Sequence, residues 1–265
     1  MTLRAELAWC LLSPPLPAPR LPTFPTPSTL CQRLIATLPD TEPPRRLGRR
    51  FESHWRLALD ALPGHTVLAA NLQIQHEGRT LGAPDLLLAA PGQIWHLELA
   101  VKFYLCRPDR SGDDDDDWIG PSARDSLGRK LRRIKNHQLT LFDRPAGRAT
   151  LRAHNLPDPT AAATILRGVL FSHWQQPHPR AAGRWCHLSD LPAATSGGTI
   201  LSRQEWLGAT PAAPHRTSPE LHASVREELA DGMVQLTDAQ GRRLAVVHDG
   251  WPEQDSTDTA GHFGQ

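Results

Sequence analysis

The segment from Ile94 to Leu105 combines an acid, an amine and a histidine in a pattern that favours chemistry. Its residues alternate, so in a β-strand the side chains of His96, Glu98 and Lys102 leave one face and apolar side chains leave the other. A carboxylate is a hard ligand for a divalent metal ion, and an amine can orient or deprotonate a water molecule. The alternative is a cross-strand ion pair on a solvated face.

Lysine is rare in this chain, which makes Lys102 more informative than an ordinary cation. Of the 29 Lys and Arg residues, only three are lysines, the other two being Lys130 and Lys135. The compact ammonium of lysine is not reproduced by the broad, planar guanidinium of arginine. A lysine within a strand of this chain therefore favours a specific role over a general surface charge.

Three further polar residues occupy positions that the predicted elements bring towards this strand. Glu52 lies at the edge of the apolar stripe of a helix predicted over residues 47–62. Asp85 directly precedes a short apolar strand, and Gln138 falls on the inward stripe of a helix that begins near Leu127. Glu52 is alternatively a solvated residue or an ion-pair partner, and Gln138 a buried polar residue with satisfied hydrogen bonds.

The elements around these residues predict an α/β fold with a mixed sheet. Strands are expected at residues 67–75, 86–90 and 94–105 as an antiparallel meander, with a turn at 76–79, and again at 165–174 and 184–188. A helix beginning at Ser218 and running to about residue 231 should precede a terminal hairpin, 233–237 with 242–248. The predicted organisation is a proline-rich arm with short helical turns near Leu7 and Leu34 (1–45), a core (46–210), the appended helix and hairpin (211–250) and a disordered tail (251–265).

Composition sets limits on the class of protein. The 265 residues allow a sizeable core, and the net charge of +1 means that any nucleic-acid surface must come from local clustering. Four scattered cysteines and the lack of a long apolar run predict a cytoplasmic protein without a membrane span or a disulfide framework. The run Asp113–Asp117 is either a solvated loop or a cation site.

The order of these elements resembles the PD-(D/E)XK nuclease superfamily over roughly residues 45–143. Pro84 and Asp85 match its proline and first acid, and Glu98 matches its second acid. Gln138 with Phe142 is similar to the glutamine and aromatic motif of the RecB-like branch, where a tyrosine occupies the aromatic position. The resemblance implies a restriction-endonuclease-like core in which a central mixed sheet is flanked by helices.

The resemblance also implies a function and a set of site residues. Mg²⁺ or Mn²⁺ would be bound by Asp85, Glu98 and Glu52, and hydrolysis of nucleic acid, expected to be DNA, would need Lys102 and Gln138 besides these acids. No small-molecule cofactor is implied. The nucleic-acid backbone would be held by four basic residues, Arg129, Lys130, Arg132 and Arg133.

One departure from the superfamily pattern leaves an inactive nucleic-acid-binding or scaffolding protein as the alternative. The usual lysine lies two residues after the second acid, where this chain has Ala100. Lys102 shares the face of Glu98 but begins about 13 Å along the strand from it instead of about 7 Å. A catalytic Lys102 would have to lean back towards Glu98.

At finer grain, four phrases of the sequence resemble a bacterial family known as domain of unknown function 1853. The phrases are TLGAPDLLL, HLELAVKFYL, WIGPSARDSLGRKL and HQLTLF. The resemblance covers most of the chain and implies the same nuclease-like core, without a substrate or pathway.

Overall fold

The computed structural model describes residues 3–26, 28–37, 44–208, 214–229 and 232–252. The helices are α1 (Leu3–Leu12), α2 (Ser28–Thr37), α3 (Leu47–Asp60), α4 (Leu127–Arg133), α5 (Pro145–Ala153), α6 (Leu191–Ala194) and α7 (Ser218–Glu228). The strands are β1 (Thr66–Ala70), β2 (Ile74–His76), β3 (Arg79–Gly82), β4 (Leu86–Ala90), β5 (Gln93–Cys106), β6 (Trp118–Ile119), β7 (Ala161–His173), β8 (Gly183–His187), β9 (Gly197–Leu201), β10 (Arg216–Thr217), β11 (Val234–Asp238) and β12 (Arg243–Val247). None of the described helices is both long enough and apolar enough to cross a membrane.

The chain is a mixed α/β protein with a large mixed sheet flanked by helices, as the sequence predicts. Its contacts divide it into two compact units. Unit 1 contains residues 1–102, 129–169 and 201–212, and unit 2 contains residues 103–128, 170–200 and 213–265. Every predicted site residue belongs to unit 1.

In unit 1 the predicted antiparallel meander is confirmed, with one break. Strand β4 pairs antiparallel with both β1 and β5. The single strand predicted over residues 67–75 is wrong, because Asn71 adopts a φ of 51° and ends β1. The chain then forms a separate hairpin of β2 and β3, in which Glu77 and Gly78 both have positive φ, as a two-residue hairpin turn requires.

Helix α3 forms where the apolar stripe predicts it. Phe51, Trp55, Ala58 and Leu59 are buried on one face, at the spacing of an amphipathic helix. The same face also buries two residues that the stripe does not reveal, Arg50 and His54.

The helix predicted from Leu127 to Leu141 is altered in its second half. Helix α4 ends at Arg133 and continues as a π-helical turn over Ile134–Gln138, closed by a hydrogen bond from Leu139 N to Ile134 O at 3.0 Å. A π turn holds one more residue than an α turn, so it rotates the following side chains relative to a regular helix. Leu141 and Phe142 nevertheless reach the core, where they pack with Leu87 and Leu151.

The proline-rich N-terminal region is part of unit 1 and packs on its other elements. Helices α1 and α2 lie where short helical turns are predicted, and both are ten residues long. Between them, the backbone follows the edge of β7: Leu16 N donates to Leu166 O at 3.2 Å, and Phe24 N donates to Thr164 O at 3.0 Å. Proline is compatible with this edge position because few backbone N–H groups of the segment are needed for hydrogen bonds to β7.

Unit 2 contains the predicted C-terminal helix and hairpin. Strand β12 pairs antiparallel with β11 and parallel with β8, so this sheet is mixed. Helix α7 begins with a capping box between Thr217 and Glu220 and packs Leu221 and Val225 on the hairpin. Trp251 is buried, and residues 253–265 of the predicted tail lie outside the described residues.

The aspartate run of unit 2 is a structured loop. Asp115–Asp117 form a short 3-10 helix, and Arg180 Nη2 lies 2.5 Å from Asp115 Oδ1. Across the described ranges, no three His, Cys, Asp or Glu side chains are grouped so that they could enclose a metal ion. The cation interpretation of this run therefore has no support.

Candidate active site

Asp85 is held against β5 by a backbone hydrogen bond. Its Oδ2 accepts from Leu99 N at 2.7 Å, immediately after Glu98 in the chain. The turn that carries it is positioned by Asn71, whose N donates to Asp85 O at 2.9 Å. Asp85 directly precedes β4 and Glu98 lies within β5, so the two predicted acids come from neighbouring antiparallel segments.

Glu98 is a buried carboxylate with a donor on each oxygen. Its side chain is 2% exposed. Oε1 lies 3.0 Å from His96 Nε2, and Oε2 accepts from Gln138 Nε2 at 2.5 Å. The histidine ring packs edge-on against Phe142, with 4.9 Å between ring centroids. These contacts satisfy the buried carboxylate and fix its orientation.

Two acids of this site, Asp85 and Glu52, are less readily ionised than free carboxyl groups. Burial, together with the nearby charges of Glu98 and Glu52, raises the pKa of Asp85 to about 8, although the hydrogen bond from Leu99 acts in the opposite direction. Burial also raises the pKa of Glu52, opposed by Arg49 and reinforced by Glu98. A cation bound here would therefore favour the charged forms of these carboxylates.

Two lysines lie beside these acids. Lys130 is half-buried, and its Nζ donates to Gln138 Oε1 at 3.0 Å. Burial lowers the pKa of Lys130, as does the charge of Lys102, while Glu98 and Asp85 act in the opposite direction. The two ammonium groups are thus close enough to influence each other.

The backbone at Lys102 is in tight contact with β7. A Cβ atom at Gly168, where φ is +150°, would overlap the carbonyl oxygen of Lys102. Only glycine allows this approach. The position of Lys102 on β5 is therefore set by backbone packing, and the residue is half-buried.

The predicted basic surface divides into two parts. Arg129, Arg132 and Arg133 are exposed on α4, as the helix pattern predicts. Lys130 separates from them and turns towards Gln138. Their binding of nucleic acid stays a prediction.

A cleft of about 270 Å³ opens beside Asp85 and Glu52. Its lining residues are Pro44, Arg49, Glu52, Ser53, Arg56, Ala70, Asn71, Asp85 and Leu86. Arg49 Nη1 bridges two of them, at 3.1 Å from Glu52 Oε2 and 2.7 Å from Asn71 Oδ1. The cleft therefore combines carboxylates with guanidinium groups, a pairing suited to a phosphate ester and its counter-ion.

A family model described as a domain of unknown function, DUF1853, matches residues 5–245. The chain belongs to this family. The match in this DUF1853 chain contains every candidate residue of the site, and it confirms the family resemblance that the four sequence phrases carry. A search of the curated proteins found no match, and neither did a search of the solved structures.

The donor set of the DUF1853 site suits Mg²⁺ or Mn²⁺ bound largely by water. Asp85 and Glu98 offer hard carboxylate oxygens, and each carboxylate keeps lone pairs beyond those used by its hydrogen bonds. Mg²⁺ is commonly held by one or two carboxylates and several waters. Glu52 raises the pKa of Asp85, but the described side chains do not form a group of three ligands.

Several residues of the DUF1853 site are missing from the sequence prediction. Arg49 and Arg56 share a stripe of α3 with Glu52, three residues before it and four residues after it, so helical periodicity could have found them. His96 lies on the predicted chemical face of β5, but its pairing with Glu98 depends on side-chain orientation. Asn71 gives no sequence signal beyond its tolerance of positive φ.

Proposed function

We propose that this chain is a divalent-metal-dependent nuclease that hydrolyses phosphodiester bonds, with DNA as the expected substrate, on a restriction-endonuclease-like core. The observation that carries the proposal is the position of Asp85, which is bound to the backbone next to Glu98 and lines a cleft together with Glu52, Arg49 and Arg56. A site that concentrates carboxylates next to guanidinium groups suits a metal ion and a phosphate. The proposal includes a cytoplasmic location and no small-molecule cofactor.

Each residue of the proposed site has a separate role in hydrolysis. Asp85 and Glu98 would hold Mg²⁺ or Mn²⁺, with Glu52 at the edge of the site, and the ion would supply a nucleophilic water and stabilise charge on the phosphate. Lys102 positions or deprotonates that water, and Gln138 holds Glu98 in place and orients the water. The nucleic-acid backbone is held outside the site by Arg129, Arg132 and Arg133.

A second candidate is a catalytically inactive nucleic-acid-binding or scaffolding protein on the same fold. Two observations favour it: Ala100 occupies the usual position of the lysine, and both oxygens of Glu98 already have protein donors. Magnesium-independent binding of nucleic acid without turnover is the behaviour that this candidate predicts.

The two candidates are separated by a cleavage assay with isosteric variants. Purified protein is incubated with single-stranded DNA, double-stranded DNA and RNA in Mg²⁺, in Mn²⁺ and in a chelator. Asp85→Asn and Glu98→Gln should abolish cleavage, whereas Glu77→Gln, at a side chain 86% exposed, should not. Cleavage that persists in both site variants belongs to a contaminant and contradicts the nuclease proposal.

A further inference from the structure

A chain of hydrogen bonds connects Lys130 to the buried acid of the site. Lys130 Nζ donates to Gln138 Oε1 at 3.0 Å, and the amide of the same glutamine donates to Glu98 Oε2 at 2.5 Å. Gln138 thus uses both ends of its amide, one for the amine and one for the carboxylate. This ammonium group therefore comes from helix α4 and not from a strand of the sheet.

The direction of Lys130 differs from that of its neighbours on α4. Arg129, Arg132 and Arg133 are exposed, whereas Lys130 is half-buried. Placing an ammonium group in partly desolvated surroundings is unfavourable unless other groups stabilise it. Lys130 shares a side of the helix with buried Leu127 and Ile134, so helical periodicity turns it inward, away from the arginines.

Strand β5 has no amine at the position two residues after Glu98. Ala100, two residues after Glu98, ends in a methyl group, and Lys102 begins one strand repeat further along. The charge of Lys102 nevertheless acts on Lys130, so the two amines flank the same region. Lys130 has three N–H donors and gives one to Gln138, which leaves donors for a further acceptor.

We infer that Lys130 is a catalytic residue of the proposed nuclease, whose ammonium contacts the scissile phosphate beside Asp85 and Glu98. The inference rests on the proposed function. In this role Lys130 keeps its protons throughout and donates hydrogen bonds to a non-bridging phosphoryl oxygen, where negative charge builds up during hydrolysis. A cation that only held the nucleic-acid backbone away from the reacting phosphate would affect the affinity for nucleic acid alone.

Kinetics of three lysine variants test this role. Lys130→Met should lower kcat by about 100- to 1,000-fold, as expected when one donor to a developing charge is removed, with little change in KM. Lys130→Arg should recover part of the loss because it restores positive charge. Lys135→Met is the matched control, since Lys135 lies exposed on the same helical segment. Wild-type kcat in a folded Lys130→Met variant overturns the inference and leaves the nuclease proposal intact.

A footprint without turnover supplies an independent readout. The full chain is acetylated with and without Mn²⁺ and a short single-stranded phosphorothioate DNA, and labelling of the three lysines is quantified by mass spectrometry. Bound DNA should protect Lys130 several-fold and leave Lys135 unchanged. Protection of Lys130 in a protein that cleaves nothing supports the phosphate contact and overturns the nuclease proposal. Equal labelling of Lys130 with and without saturating DNA overturns the inference.

Discussion

The side-chain amide of Gln138 donates a 2.5 Å hydrogen bond to the carboxylate of Glu98, 40 residues earlier in the chain. This bond connects the π-helical turn after α4 with the middle of β5. The segment that holds the glutamine therefore also determines the orientation of the buried acid.

Removing that amide should destabilise the fold. Gln138→Leu leaves one oxygen of buried Glu98 without its donor, which should lower the free energy of unfolding by about 1–3 kcal/mol. Urea denaturation followed by circular dichroism measures the loss, with exposed Gln75→Leu as the control. Equal stability of the two variants would show that the hydrogen bond does not matter energetically.

Asp85 should make the protein less stable as the pH rises. Burial and the charge of Glu98 raise its pKa from the ordinary 3.8 to about 8, so the folded state binds more protons than the unfolded state between these values. Its contribution to stability is therefore fully present below pH 3.8 and is lost as the pH rises towards 8. Asp85→Asn should flatten this dependence, measured as unfolding free energy against pH in a chelator. A wild type and a variant with parallel curves would contradict the placement of the acid.

Glu6 of α1 should be essential for the position of α3. It is fully buried, and its carboxylate accepts from Arg50 Nη2 at 2.7 Å and lies 2.8 Å from His54 Nε2. Burial alone raises the pKa of Glu6, but the hydrogen bonds of His54 and Arg50 outweigh it and the net pKa is lowered. The stabilisation is therefore present at neutral pH and is lost as the pH falls.

Glu6→Gln tests that cluster. Removing one partner of a buried ion pair should cost roughly 3–5 kcal/mol of stability because Arg50 stays buried without its counter-charge. Exposed Glu227→Gln should change stability little. Chemical denaturation at neutral pH compares the two variants, and a loss below that of the control would rule out the pair as a structural anchor.

The arginines of the cleft should contribute to DNA binding through phosphate contacts. If Arg49 and Arg56 each neutralise one phosphate of single-stranded DNA, Arg49→Ala with Arg56→Ala should reduce the slope of log affinity against log salt by about 1.4. Fluorescence anisotropy in a salt series measures the slope, with exposed Arg226→Ala as the control. An unchanged slope would assign the phosphate contacts to another surface, such as that of Arg129, Arg132 and Arg133.

Lys102 should be required for cleavage and dispensable for metal binding. Lys102→Met should abolish hydrolysis while leaving Mn²⁺ affinity, measured by calorimetry, close to that of the wild type. Lys102→Arg should also fail, because guanidinium is permanently protonated and too broad to replace the amine. Full activity in Lys102→Met would make the lysine a structural cation of β5.

Local pattern predicted the parts of the site that lie on regular elements. Alternation along β5 predicts that Glu98 and Lys102 share one face, and helical spacing predicts the stripe of α3 around Phe51 and Trp55 that the structure shows to be buried. Asp85 is found from its place before an apolar strand. These features depend on neighbours close in sequence, so they can be read without tertiary contacts.

The remaining features depend on contacts between distant residues. The π turn that rotates Gln138 has no reliable sequence signature, and the hydrogen bond from Lys130 to Gln138 joins residues eight positions apart. Burial of Glu6 with Arg50 joins residues 44 positions apart. Asn71 breaks a strand because its backbone adopts positive φ, which an asparagine permits but does not require.

The proline-rich segment that follows the edge of β7 also has a consequence for handling the protein. Its backbone occupies hydrogen-bonding groups of Thr164 and Leu166, and its prolines lack the N–H groups with which another strand could pair. Unit 1 therefore closes this edge with a stretch that is a poor template for intermolecular pairing. A fragment that starts at residue 46 would leave the edge of β7 open to other molecules, and its aggregation would say nothing about the chemistry of the site.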